Sequence, residues 1–307
     1  MTADSPAPRA QALPASAPFR RLVIAGIGLI GSSLARVARR EHLAEQIVGI
    51  DADPDVRAKA LALGVVDVVE ADPARAAAGA DLVVLATPLS GYEEIARAIM
   101  PALGPGAIVT DVGSVKQAAI RDVVPYLRPG IAFVPGHPVA GTEHSGPEAG
   151  FAELFEGRWC ILTPLPDGDP AALARVTWLW QRAGSRVETM PAEHHDLVLA
   201  ITSHLPHLIA YTIVGTATDL EDHLKSEVIK YSAGGFRDFT RIAASDPIMW
   251  RDIFLNNREA VLEMLGRLYE DIAILQRAIR VGDAETLESH FIRTRAIRRG
   301  IVEANQA

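Results

Sequence analysis

Seven short runs, RLVIAG, QIVGID, DLVVLATP, AIVTDVG, IAFVPG, CILTP and SRVETM, punctuate the chain from Phe19 to about Thr189. Each is apolar on successive residues instead of alternating, so a strand built from it shows apolar side chains on both faces. Such a strand is stable only when both faces are covered. The Ala-rich stretches between the runs supply helices to cover them, and the alternation implies crossover connections that keep the strands mostly parallel. The expected architecture is a doubly wound α/β sheet.

The first run leads into GIGLIGSSLA, which holds Gly26-x-Gly28-x-x-Gly31 between a strand and an Ala/Leu-rich helix opened by Leu29 and Ile30. A second run ends at Asp51, twenty residues after Gly31. Strand, glycine turn, helix and spaced acid together fit a Rossmann-like dinucleotide site. Gly26 allows the tight turn, Gly28 lets the backbone approach the pyrophosphate, and Gly31 lets helix and strand pack closely. The phosphates then face the positive end of the helix. Asp51 accepts the adenosine ribose hydroxyls and repels a 2′-phosphate, which favours NAD over NADP. Thr87-Pro88 and Asp111–Ser114, at the carboxyl ends of later strands, are expected to line the crevice for the nicotinamide.

After Met190 the strand pattern stops. Helical periodicity predicts helices over Ala192–Thr218, Leu220–Tyr231, Pro247–Val281 and Ala284–Glu303. Asp246-Pro247 is a capping start, and Gly282-Asp283 ends one helix and caps the next. The Pro247–Val281 stripe of Phe254, Val261, Leu265, Leu268, Ile272, Leu275 and Ile279 needs a partner. A second copy of the chain and a neighbour in the same subunit both satisfy the pattern. The reading adopted is residues 1–18 as an Ala/Pro/Ser-rich tail, 19–189 as the dinucleotide domain, and 190–307 as an all-α substrate-binding and dimerisation domain forming a homodimer.

Composition removes other classes. Of 307 residues 49% are hydrophobic, so a large core is available. A net charge of −8 and the lack of a basic stripe interleaved with aromatics argue against nucleic acid. The single cysteine, Cys160, allows neither an internal disulfide nor a thiolate zinc cluster, which fits a reducing cytoplasm. The tail lacks a signal peptide's basic start and unbroken apolar centre. The most apolar stretch, LVLAITSHLPHLIAYTIVG, contains two histidines and a proline, and reads as a buried helix with polar work rather than a membrane span.

TDVGSVK (Thr110–Lys116), GHPVAGTEHSG (Gly136–Gly146), SHLPH (Ser203–His207) and GGFRDFTRIAASDPIMW (Gly234–Trp250), with the glycine turn, closely resemble the prephenate/arogenate (cyclohexadienyl) dehydrogenase family. The resemblance runs from about Arg20 to Gly300. It implies NAD-dependent oxidative decarboxylation in tyrosine biosynthesis: prephenate to 4-hydroxyphenylpyruvate, arogenate to tyrosine, or both. The family's catalytic histidine falls on His137 and its nicotinamide- and substrate-contacting serine on Ser114. Its substrate positions fall on Ser203, His207 and Arg241, with Trp250 near the pocket. The chemistry suits these residue types. A neutral imidazole takes the proton of a ring hydroxyl that becomes a carbonyl as hydride leaves. Arg241 offers a planar charged fork to a carboxylate. Aromatisation drives loss of CO2, so no metal is expected.

Duller readings stand beside these. His137 also suits a loop histidine capping strand ends. His204 and His207 have a metal-compatible spacing without an evident third ligand, which leaves His207 as a substrate contact and His204 as a packed core histidine. His194 and His195 read as a solvated helix start, and Trp250 as packing. Arg237 pairs with Asp238 locally, or Glu143 and Asp238 pair with Arg241 as a gate over the entrance. A β-hydroxyacid dehydrogenase would carry Gly-x-x-Lys-x-x-Asn, whereas Lys230 is followed three residues on by Ala233. A dinucleotide-sensing module would leave His137, Ser114 and Arg241 without a role.

Overall fold

The structure, a computed structural model, describes residues 18–142, 144–218, 230–231 and 233–303. The first eleven elements alternate β1 (Phe19–Ala25), α1 (Leu29–Arg40), β2 (Ala44–Ile50), α2 (Pro54–Ala62), β3 (Val68–Glu70), α3 (Pro73–Ala77), β4 (Leu82–Leu85), α4 (Tyr92–Ile99), β5 (Ile108–Asp111), α5 (Lys116–Val123) and β6 (Ala132–Val134). The strands form one parallel sheet in the order β3-β2-β1-β4-β5-β6. Phe19, Leu22, Ile24 and Val84 pack on one face with α1, while Val23, Ala25, Val83 and Leu85 pack on the other with α4 and α5. Two-sided burial explains the unbroken apolar runs. The order reverses between β1 and β4, the crevice at which ligands bind in such sheets.

The last strands leave this sheet. β7 (Gly136–Pro138), β8 (Trp159–Leu162) and β9 (Arg186–Thr189) form a second, three-stranded sheet, with α6 (Pro170–Arg182) between β8 and β9. β7 runs antiparallel to β8 and places His137 opposite Ile161. The loop expected around His137 is therefore a strand at that residue. Thr163 N–H donates to the Pro135 carbonyl (2.9 Å) and Val139 N–H to the Trp159 carbonyl (2.7 Å), which fixes the peptide on both sides.

The helical part contains α7 (Ala192–Leu199), a wide π-helical turn (Ala200–His204), α8 (Leu205–Thr218), α9 (Gly234–Thr240), a 3-10 turn (Arg241–Ala244), α10 (Pro247–Asn256), α11 (Arg258–Val281) and α12 (Ala284–Glu303). The wide turn has a local cause: Pro206 has no N–H for the carbonyl four residues back, and its ring crowds that carbonyl. The single helix expected over Pro247–Val281 is two helices. Asn257 (φ −105°, ψ 32°) breaks it because its side chain is drawn into buried hydrogen bonds with His204 and the Asp196 carbonyl. The helix expected at Leu220–Tyr231 lies outside the described residues except for Lys230 and Tyr231.

The apolar helix through Ala192–Ala217 is not fully buried as expected, since only 22% of its most apolar window is covered. His195, Leu199, Ala200, His204 and Ala210 face inward while Ile201 is open. The chain divides into two compact units, Met1–Asn257 and Arg258–Ala307. In the second, Val261, Met264 and Ala278 are buried, whereas Leu265, Tyr269, Ile272 and Ile279 are exposed.

The glycine turn has little tolerance. Gly26 adopts φ 96°, and a Cβ there would lie 2.6 Å from the Ala86 backbone. A Cβ on Gly31 would strike the Gly26 carbonyl oxygen, which is backbone and cannot turn aside. Gly31→Ala is expected to cost about 1–3 kcal/mol of stability and to abolish measurable NAD+ binding. Urea denaturation and a fluorescence titration check this, and wild-type values in both would contradict the packing role.

Candidate active site

The turn after β1 is built to receive an anion. α1 is capped by Gly28, which has no side chain to bond the first-turn amides, and a Cβ on Gly28 would meet nothing within 4 Å. Bare N–H groups at a helix's positive end, with room before them, fit a pyrophosphate. Leu29 and Ile30 form the half-buried first turn. Asp51 stands at the end of β2, its oxygens accepting from Ile27 N–H and Asp53 N–H, both at 3.0 Å. The Thr87 nitrogen lies 2.7 Å from the position of a Gly26 Cβ, so the end of β4 adjoins the turn, with Pro88 exposed next in line. The residues present fit a dinucleotide.

His137 is 8% exposed and sits on β7 beside the end of β5. Its Nδ1 lies 2.9 Å from His195 Nε2, and His195 Nδ1 lies 2.8 Å from Asp196 Oδ1. Asp196 accepts the first two amides of α5, from Lys116 (2.7 Å) and Gln117 (2.9 Å). Lys116, fully buried, donates through Nζ to Asp111 and to the Gly136 carbonyl (2.5 Å). Asp111 also accepts from Gly136 N–H, Gly113 N–H and the Tyr92 hydroxyl. Ser114 lies half-buried on the turn between Gly113 and α5. Burial holds the His137 imidazole well below its ordinary pKa, with the neighbouring His195, Lys116 and His204 disfavouring a further positive charge there. The ring is neutral at pH 7.

A second cluster surrounds Trp250. The His207 ring stacks on the indole at 3.6 Å between centroids, and His204 meets it edge-on at 6.0 Å. His207 Nδ1–H donates to the Ser203 carbonyl (2.8 Å), which the wide turn presents. Burial lowers the His207 pKa, the Ser203 carbonyl raises it, and the Arg241 charge lowers it again. His207 thus meets Trp250 and the Ser203 carbonyl directly and lies within electrostatic reach of Arg241. His204 Nδ1 accepts from Asn257 Nδ2 (3.0 Å), whose second hydrogen goes to the Asp196 carbonyl (2.8 Å). Through Asn257 the two clusters join. Asp238 is exposed, and Glu143 lies outside the described residues.

Residues 34–189 match the family "Prephenate dehydrogenase, nucleotide-binding domain", and residues 191–293 match "Prephenate dehydrogenase, dimerization domain". The chain belongs to the prephenate dehydrogenase family. It is 43% identical over 274 residues to the cyclohexadienyl dehydrogenase of Zymomonas mobilis, covering 89% of this chain and 93% of that one. Among solved structures it resembles the Aquifex aeolicus prephenate dehydrogenase in complex with hydroxyphenyl propionate and NAD+ (TM-score 0.86, 37% identity, 94% and 99% of the chains). It also resembles a Synechocystis arogenate dehydrogenase (TM-score 0.77, 26% identity, 91% and 99%). This prephenate dehydrogenase family member is an NAD-dependent oxidoreductase with a Rossmann-like sheet followed by helices.

Sequence reasoning missed part of this family member's site. His195, expected to be solvated, is fully buried against His137, because Asp196 must turn inward to receive the α5 amides and carries its neighbour with it. His194 is exposed as expected. Asp111, expected to line the nicotinamide crevice, is fully buried against Lys116, which had been given no role, and Asn257 fell inside an apparent helix. The usable signal was EHHD itself: an acid beside a histidine at the mouth of the α/β region, where a free α5 N-terminus needs an acceptor.

His204 is 1% exposed, and burial brings its pKa down from 6.5 to about 4. A histidine that titrates lower folded than unfolded contributes stability that is complete above pH 6.5 and is lost as pH falls toward 4. Loss of about 3 kcal/mol across that window is expected from His204. His137 and His195, both lowered by burial, steepen it. In His204→Gln, urea denaturation between pH 7 and 4.5 should give a visibly shallower slope. An unchanged slope would contradict the assignment.

Proposed function

We propose that this enzyme oxidatively decarboxylates prephenate, arogenate or both, with His137 as the general base. The observation that carries this is a neutral imidazole on a fixed strand, its Nδ1 engaged by His195 and its Nε2 without a protein partner among the described residues. Bound NAD+ supplies the hydride acceptor. As the ring C–H departs as hydride, the 4-hydroxyl proton passes to His137 Nε2 and the oxygen becomes a carbonyl. The C–C electron pair of the ring carboxylate then enters the ring as CO2 leaves, and the carbonyl oxygen takes the proton back from His137 as the ring becomes a phenol. Ser114 orients the hydroxyl and the nicotinamide from the turn after β5. Arg241 holds a substrate carboxylate, with Ser203 and His207 on the same side and Trp250 as the wall behind His207. Gly26, Gly28, Leu29, Ile30, Gly31, Asp51, Thr87 and Pro88 make the cofactor cradle, and Asp51 selects NAD over NADP. Asp238 guards the entrance to Arg241, while the gate reading of Glu143 falls outside the described residues.

The active species is a homodimer in the cytoplasm, joined through the C-terminal helices. The exposed Leu265, Tyr269, Ile272 and Ile279 of α11, with Phe291, Ile292 and Ile297 of α12, supply apolar area, and the matched dimerization domain spans all of these but Ile297. The lone cysteine is buried, as suits a reducing compartment.

His137→Asn should lower kcat by roughly 10²–10⁴-fold with NAD+ affinity retained. NADH formation from prephenate and from arogenate is the assay, and undiminished turnover with both would refute the base. Arg241→Ala should raise KM roughly tenfold or more with a smaller effect on kcat; an unaltered KM would remove Arg241 from the substrate. The double variant Ile272→Asp with Ile279→Asp should run as a monomer by light scattering, and a persistent dimer would place the interface elsewhere.

A further inference from the structure

We propose that Asp196, His195 and His137 form a hydrogen-bonded relay, in which His195 and Asp196 are positioning residues that fix the His137 tautomer and stabilise the charge His137 gains. This rests on His137 being the base and goes beyond it.

The bonds allow one arrangement of protons. A carboxylate only accepts, so the hydrogen between Asp196 Oδ1 and His195 Nδ1 belongs to His195. His195 is fully buried and neutral, so its Nε2 carries a lone pair. The 2.9 Å contact to His137 Nδ1 then requires the hydrogen on His137. Neutral His137 is left with a bare Nε2, the form a general base needs. Without His195 the other tautomer becomes available, with its proton on Nε2 and no capacity to accept from a hydroxyl.

Both ends of the relay are held. Asp196 is clamped by two α5 amides, and its carbonyl by Asn257. His137 is paired on β7, with the preceding carbonyl held by Lys116. Among the described residues six ionisable groups surround His137, one of them the Cys160 thiol, which burial keeps neutral. His195 and His204 are neutral, Lys116 and Asp111 offset each other, and Asp196 remains as the uncompensated negative charge. When Nε2 takes the substrate proton, the ring gains one positive charge, with His195 as acceptor and Asp196 as counter-ion behind it. The proton stays on His137 until it returns to the same oxygen as the phenol forms, so no other reactant is required.

The test compares His195→Leu, His195→Gln and His137→Asn by kcat, KM, NAD+ affinity, melting temperature and the pH profile of kcat. His195→Leu should lower kcat by roughly 10–10³-fold, with KM and NAD+ affinity within about threefold. The acidic limb of its profile should move about one unit to lower pH, because an imidazolium without its acceptor is a stronger acid. His195→Gln, whose amide oxygen can still accept from His137 Nδ1–H, should recover part of the rate. Should His195→Leu fail to fold, a limb shift in His195→Gln still supports the relay. Unmoved limbs, or a Gln variant no better than the Leu variant, would overturn it. If His137→Asn is inactive while both His195 variants turn over normally, the relay is wrong and the base stands. If His137→Asn is fully active, the base reading itself has failed.

Discussion

One carboxylate, Asp196, ties the helical segment to the α/β sheet. It lies in α7, yet its oxygens close the amide end of α5 and its neighbour His195 reaches the strand that carries His137. Its carbonyl holds Asn257, which turns the chain out of α10 and braces His204. A buried carboxylate is costly unless every oxygen is satisfied, and here each has donors. Because those donors come from elements far apart in sequence, satisfying one group assembles the site.

A second buried group does the same work across the sheet. Asp111 at the end of β5 accepts from Lys116, Tyr92, Gly113 and Gly136. It joins the cofactor side of the sheet, where β4 meets the glycine turn, to the peptide preceding His137. The glycine turn and His137 are therefore both carried on backbone held by these hydrogen bonds.

Much of the sheet was legible because two-sided burial writes itself as unbroken apolar runs, and because glycine positions in the first turn answer to backbone contacts. The division into two sheets was not legible: β7 is three residues long and contains His137 and Pro138, too short and too polar to show a pattern. The break at Asn257 was hidden for another reason. Local propensity continues the helix, and only a tertiary partner, His204, draws the asparagine out of it. His137, His207 and Arg241 were singled out through long motifs, whereas His195 and Asp196 were overlooked because their contacts depend on what faces them. A histidine next to an acid at a helix start looks solvated until the opposite wall is known.

The central claim concerns proton positions, and imidazole nitrogen resonances of 15N-labelled enzyme read them directly. Across pH 6 to 8, long-range 1H–15N correlation spectra should show His137 and His195 neutral with the hydrogen on Nδ1, and His204 neutral with the hydrogen on Nε2. A His137 found with its hydrogen on Nε2, or protonated at pH 7, would contradict the account.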